Sequence, residues 1–279
     1  MPRLFVCLTA FLAIMPCLPA AAADGVDVGK PSVVSNLVPA AAVERQAAQQ
    51  YGELKRQAAA KRALGPDDHP QVKRLRAIAA RMIPFVERFN PRARQWQWEV
   101  NLIGSKQINA FCMPGGKIAF YSGILDTLKL TDDEVAMVMG HEIAHALREH
   151  ARERMAKSQL TQFGASLLGE LVGGGRYTGA FQLGGNLLSL KFSRDDESEA
   201  DVVGLDVAAR AGFDPRAAVS LWQKMAAANS RAPLEFLSTH PAGDSRIKEI
   251  EKHLPQVMPL YRNAQRGNLQ EPAPAVTRR

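Results

Sequence analysis

His141, Glu142 and His145, within Gly140-His141-Glu142-Ile143-Ala144-His145, form an H-E-x-x-H motif. On a helix, residues four apart share a face, so both imidazoles can reach one metal ion. Glu142, next to the first histidine, is angled to hold an attacking water and take its proton. This is the minimal apparatus for zinc-dependent peptide hydrolysis, provided that the segment is helical and a third ligand exists.

The helical context is present. Thr131 followed by Glu134 is a capping box that starts a helix at Asp132, and apolar Val135, Val138, Met139, Ala146 and Leu147 carry it to about Met155. On so continuous a helix His150, nine residues after His141, points to the opposite face and reads as a solvated histidine. Arg148 and Ala151 stand where a metzincin needs glycine and histidine. Farther on, Ser193-Arg194-Asp195-Asp196-Glu197-Ser198-Glu199-Ala200-Asp201 opens a second helix with an acidic first turn. Glu197 and Asp201 share a face of it, an arrangement that suits a carboxylate ligand and an aspartate orienting a ligand histidine. The same residues could equally form the acidic start of a surface helix. Glu199 points elsewhere and is expected to be solvated.

Four motifs in order, Asn109 to Gly116, His141 to His145, Ser193-Arg194-x-x-Glu197-x-x-Ala200-Asp201 and Ser238-Thr239-His240-Pro241, carry a family resemblance over roughly residues 70 to 255. The chain resembles the gluzincin metallopeptidases that include the CAAX prenyl protease and the HtpX heat-shock protease, in particular their soluble exported bacterial members. The resemblance implies one zinc ion per chain on His141, His145 and Glu197, with Glu142 as general base and Asp201 as partner of a ligand histidine, expected to be His141. It places Asn109, Ala110, Phe111 and Cys112 beside extended substrate, whose backbone would pair with the strand. It also gives His240 a role in one of two forms. The imidazole either donates toward the oxyanion or closes the site until substrate or a partner moves its loop. Arg246 either anchors that loop or stabilises negative charge.

The elements that must position these residues imply an α+β, mainly helical zincin-like domain with a small three-stranded sheet beside the active-site helix. Helices are expected from Pro39 to about Ala63, after Asp67-Asp68 with a kink or restart at Pro84, from Asp214-Pro215 to about Ala228, and from Asp244 to near Leu254. Alternation from Trp96 to Leu102 predicts a strand, with two more over 107–113 and 117–121 around Pro114-Gly115-Gly116. The Gly-rich apolar stretch 156–192 reads as two short helices beside the cleft, or as a hydrophobic lid. The expected organisation is a signal peptide over 1–23, an N-terminal extension and helix over 24–66, the peptidase domain over 67–261 and a disordered tail over 262–279.

Arg3, the short apolar stretch Leu4–Leu18 and Ala21-Ala22-Ala23 make the signal-peptide case, with a periplasmic destination. Pro16 before Cys17 argues against a lipoprotein. Cleavage would leave Cys112 as the one cysteine and exclude an intramolecular disulfide. The formal net charge of +7 is spread over helix faces. Without an aromatic-interleaved basic strip it does not indicate nucleic acid, although weak contact with an anionic lipid surface is compatible with it. The family resemblance implies polypeptides, unfolded or misassembled, as substrates. The alternative is a zinc-stabilised chaperone or assembly factor with latent peptidase activity.

Overall fold

A computed structural model describes residues 25–173, 186–230, 233–240 and 244–270. Its elements run α1 (Ala40–Ala60), α2 (Pro70–Met82), β1 (Glu99–Ile103), β2 (Ala110–Met113), β3 (Lys117–Tyr121), α3 (Ser122–Leu128), α4 (Asp132–Leu147), α5 (His150–Gly173), α6 (Arg194–Arg210), α7 (Ala217–Asn229), α8 (Glu235–Thr239) and α9 (Asp244–Gln270). This is the α+β architecture expected, with a three-stranded sheet in the order β1-β3-β2. Strands β2 and β3 form an antiparallel hairpin, and β3 runs parallel to β1. The hairpin turn needs glycine twice, because Gly115 and Gly116 have φ of 85° and 78°.

Helix α4 is the centre of the core. The Thr131 hydroxyl accepts the Glu134 amide at 3.2 Å and the Glu134 carboxylate accepts the Thr131 amide at 2.8 Å, closing the capping box. Every residue from Glu134 to Leu147 is buried, so the helix is enclosed on all sides rather than amphipathic. Helix α1 braces the sheet through Tyr51, whose hydroxyl donates to the Ile118 carbonyl at 2.5 Å and accepts from Asn101.

Helices α4 and α6 cross with their backbones in contact. A Cβ on Gly140 would lie 2.8 Å from the Gly204 carbonyl oxygen, and one on Gly204 would lie 2.8 Å from the Gly140 carbonyl carbon. Two facing glycines thus let the helix of the H-E-x-x-H motif approach the helix that carries Glu197 and Asp201. Gly204→Ala is expected to push the helices apart and cost about 1–3 kcal/mol, weakening metal retention as well. Thermal melts with and without zinc read both effects, and a variant that melts and binds like wild type would refute the close-approach argument.

Several expectations need correction. Helix α4 stops at Leu147, well before Met155. Glu149 takes a left-handed conformation (φ 59°), the buried Asn90 amide donates to the Leu147 carbonyl at 2.9 Å, and a new helix begins at His150. The first strand begins at Glu99, where its amide meets the Gly116 carbonyl. Trp96 and Trp98 precede it, half-buried against the core, after a 3-10 turn over Pro91–Gln95. At Pro84 the helix restarts rather than kinks, since α2 ends at Met82 and a 3-10 turn follows over Ile83–Arg88. Helix α5 runs to Gly173, at the start of the glycine break, and the stretch expected to form a second short helix falls mostly on residues 174–185, outside the described residues. Helix α9 passes Leu254, Pro255 and Pro259 to reach Gln270, so 262–270 are helical rather than a loose tail. Burial of Val257 and Leu260 in the core outweighs the amide hydrogen bonds that the prolines cannot make. The expected signal peptide lies outside the described residues.

Candidate metal centre and active site

The residues that the sequence singled out converge. His141, His145, Glu197 and His240 are all buried, and each offers a ligand atom such that all four lie within 4.8 Å of one another. The Nε2 atoms of His141 and His145 face each other at 3.1 Å, each 3.4 Å from a Glu197 oxygen. His240 Nδ1 lies 3.0 Å from Glu197 Oε1 and 3.3 Å from His141 Nε2. Helix α4 supplies the two histidines one turn apart and α6 supplies Glu197. His240 arrives immediately after α8, its amide donating to the Phe236 carbonyl at 2.9 Å. Rings lock the imidazoles in place: Phe192 stacks on His145 at 4.0 Å between centroids, and Phe236 stacks on His240 at 4.6 Å. The sequence reading missed both phenylalanines, since an apolar residue beside a motif carries no sign of what it touches.

Charge is organised around this cluster. Asp201 Oδ1 lies 3.0 Å from His141 Nδ1, which pairs the aspartate with the expected histidine. The Arg246 guanidinium donates to Glu197 at 2.6 Å and to the two Asp201 oxygens at 2.6 and 2.8 Å, and lies 3.8 Å over the Trp222 ring. These bonds tie the start of α9 to both carboxylates of α6. Burial disfavours the charged form of His141, yet its bonds to Asp201 and Glu197 outweigh this and raise its pKa to about 9. Burial likewise pushes Glu197 up, but bonds from His141, His145 and His240 hold it far below the usual carboxylate range. Negative charge that favours a proton on His141 would equally favour a cation there.

Donor chemistry fits such a cation. His141 and His145 engage their outward nitrogens, with Asp201 and His150 respectively, and turn their inward nitrogens toward each other and Glu197. Lone pairs brought this close in a buried space repel unless an electropositive centre lies between them. Three imidazoles and one carboxylate are the ligand types of zinc and its neighbours among the divalent ions.

Glu142 sits beside the cluster and outside it. Its Oε1 is buried, 3.5 Å from His240 Nε2, and has no hydrogen-bond partner. Burial raises its pKa, so the carboxylate has unusual proton affinity. A pocket opens here, lined by Glu142, His145 and His240 on one side and by Asn109, Ala110, Phe111 and Cys112 on another. Strand β2, which carries Ala110 to Met113, is the sheet edge, so its outer side pairs with no strand among the described residues. Cys112 is buried and its thiol is pushed well up by that burial, the behaviour of a packed, unreactive cysteine.

Two expectations fail at this site. His150 is 1% exposed rather than solvated, because the turn at Glu149 swings it back beneath His145. Glu199 is not free in solvent: it accepts from Arg148 at 2.6 Å and lies 2.8 Å from His150 Nε2.

Comparison with known proteins agrees with this geometry. The sequence model of peptidase family M48 matches residues 69–254. The mitochondrial metalloendopeptidase OMA1 of Schizosaccharomyces pombe is 38% identical over 57% of this chain and 48% of its own. The mitochondrial metalloendopeptidase OMA1 of Homo sapiens is 30% identical over 67% and 38% respectively. The beta-barrel assembly-enhancing protease of Escherichia coli is 33% identical over 57% and 35%. The chain thus spans about half or less of the length of these relatives.

Proposed function

This chain belongs to peptidase family M48, and from that membership and the site we propose that it is a zinc-dependent endopeptidase of unfolded or misassembled polypeptides. The observation that carries the proposal is the buried convergence of His141, His145 and Glu197 beside an unpartnered Glu142 carboxylate oxygen. His141, His145 and Glu197 would hold the metal. When bound, the ion supplies Lewis acidity to a water and to the scissile carbonyl.

The chain's own groups do the rest. Glu142, its proton affinity raised by burial, takes a proton from the attacking water and passes it to the departing amine. Asp201 and Arg246 fix the His141 ring and balance the charge of Glu197. Strand β2 offers edge amides and carbonyls to an extended substrate, which selects for unfolded chain rather than for particular side chains. The signal-like sequence of residues 1–23 supports a place in the bacterial envelope. The similarity to the beta-barrel assembly-enhancing protease of Escherichia coli supports quality control there. No helix among the described residues is long and apolar enough to cross a membrane.

One observation favours a latent form of the enzyme. His240 turns Nδ1 into the ligand cluster as a fourth candidate ligand atom, so closure describes it better than oxyanion donation. His240→Ala should therefore raise turnover of an unfolded substrate such as casein, by about tenfold if the wild-type site is open about a tenth of the time. Loss of activity in that variant would restore the oxyanion role. A chaperone function that uses the closed site would show as client binding indifferent to Glu142→Gln.

A further inference from the structure

Neither His150 nor Glu199 belongs to the ligand set, yet both are built into the underside of the site. His150 Nδ1 lies 2.9 Å from Nδ1 of His145, and its Nε2 lies 2.8 Å from Glu199 Oε2. Glu199 Oε1 is held by Arg148 at 2.6 Å, and Arg148 also donates to the Val28 carbonyl at 3.3 Å. Proton accounting gives this chain a direction. His145 turns Nε2 toward Glu197 and His141, and a neutral imidazole that ligates through Nε2 carries its proton on Nδ1. That N–H must donate, so His150 Nδ1 must accept. The single proton of His150 then sits on Nε2, where Glu199 accepts it. A doubly protonated His150 would set two N–H groups against each other at 2.9 Å.

We infer that His150 is a positioning residue for the metal centre, which fixes the tautomer and ring plane of His145 and is itself fixed by Glu199. The two ligand histidines are thus supported by different means: His141 by Asp201 directly, His145 by a carboxylate acting through an inserted imidazole. The left-handed turn at Glu149 makes this possible, since a straight continuation of α4 would carry His150 away from the site. The inference rests on the reading of His145 as a ligand.

The test is zinc affinity by chelator competition, with apo melting temperature read in parallel, for wild type, His150→Phe, His150→Asn and His145→Ala. Phenylalanine keeps the ring's bulk but accepts no hydrogen bond. Asparagine places an acceptor oxygen near the position of Nδ1. Zinc affinity should fall by about 10–100-fold in His150→Phe and largely recover in His150→Asn, whatever the two apo melting temperatures. His150→Phe binding as tightly as wild type, or His150→Asn binding no tighter than His150→Phe, would overturn the positioning role. If His150→Phe does not fold, Glu199→Met decides, because methionine keeps the length of the side chain but offers the His150 Nε2–H no oxygen acceptor: affinity should drop severalfold, and an unchanged value refutes the inference. Should His145→Ala bind zinc like wild type, the ligand assignment itself fails and takes this inference with it.

Discussion

Glu142→Gln should stay folded, keep its metal and lose about 10²–10⁴ in kcat on an unfolded protein substrate. Glutamine matches glutamate in size and replaces an oxygen that makes no hydrogen bond in the resting site, so packing around residue 142 has little reason to change. What disappears is the ability to accept a proton. The raised pKa of Glu142 has burial as its largest cause, opposed by the nearby His240 and His141 rings, and an amide has no equivalent state. Steady-state kinetics beside metal analysis of the same preparation separates loss of base from loss of metal. A variant with wild-type metal content and near wild-type kcat would remove Glu142 from the mechanism.

Arg246→Met should be the most destabilising single change near the site. The guanidinium is 5% exposed and neutralises Glu197 and Asp201 together, and both carboxylates are buried. Burial opposes its charge, but Asp201 outweighs that and raises its pKa. Methionine keeps much of the side chain over Trp222 while leaving two buried anions facing one arginine fewer. Breaking a buried pair in this way costs about 3–5 kcal/mol, which corresponds to a fall of about 6–20 °C in Tm for a domain of this size. Zinc should recover part of the loss, because it binds the folded state and supplies positive charge to Glu197. Arg216→Met, at the exposed pair with Asp214, is the control and should melt like wild type. Equal melting of the two variants would show that Arg246 contributes nothing beyond a surface ion pair.

The parts of the site that could be read in the sequence are those fixed by local geometry. His141 and His145 share a face because they lie one helical turn apart, and Glu197 and Asp201 share one for the same reason. That the two faces meet was legible only through the order of motifs, since nothing in either helix alone specifies its neighbour. Gly140 and Gly204 are the physical reason that they meet, and a glycine inside a helical pattern was the available sign. His150 and Glu199 were misplaced for a different reason. The break that brings them together is at Glu149, a residue type that gives no warning of a left-handed turn, whereas glycine or asparagine would have done so. The extent of α9 was misjudged because two prolines signal a stop locally, while burial of Val257 and Leu260, a tertiary effect, carries the helix through.

Metal content of the purified protein, measured for wild type beside His145→Ala and Glu197→Ala, tests the ligand set most directly. The expected result is about one zinc per chain in wild type and near none in either variant, with hydrolysis of unfolded substrate lost in parallel and abolished in wild type by chelation. Wild-type protein that hydrolyses peptide bonds at full rate after its metal has been stripped, or variants that retain zinc as wild type does, would contradict the account.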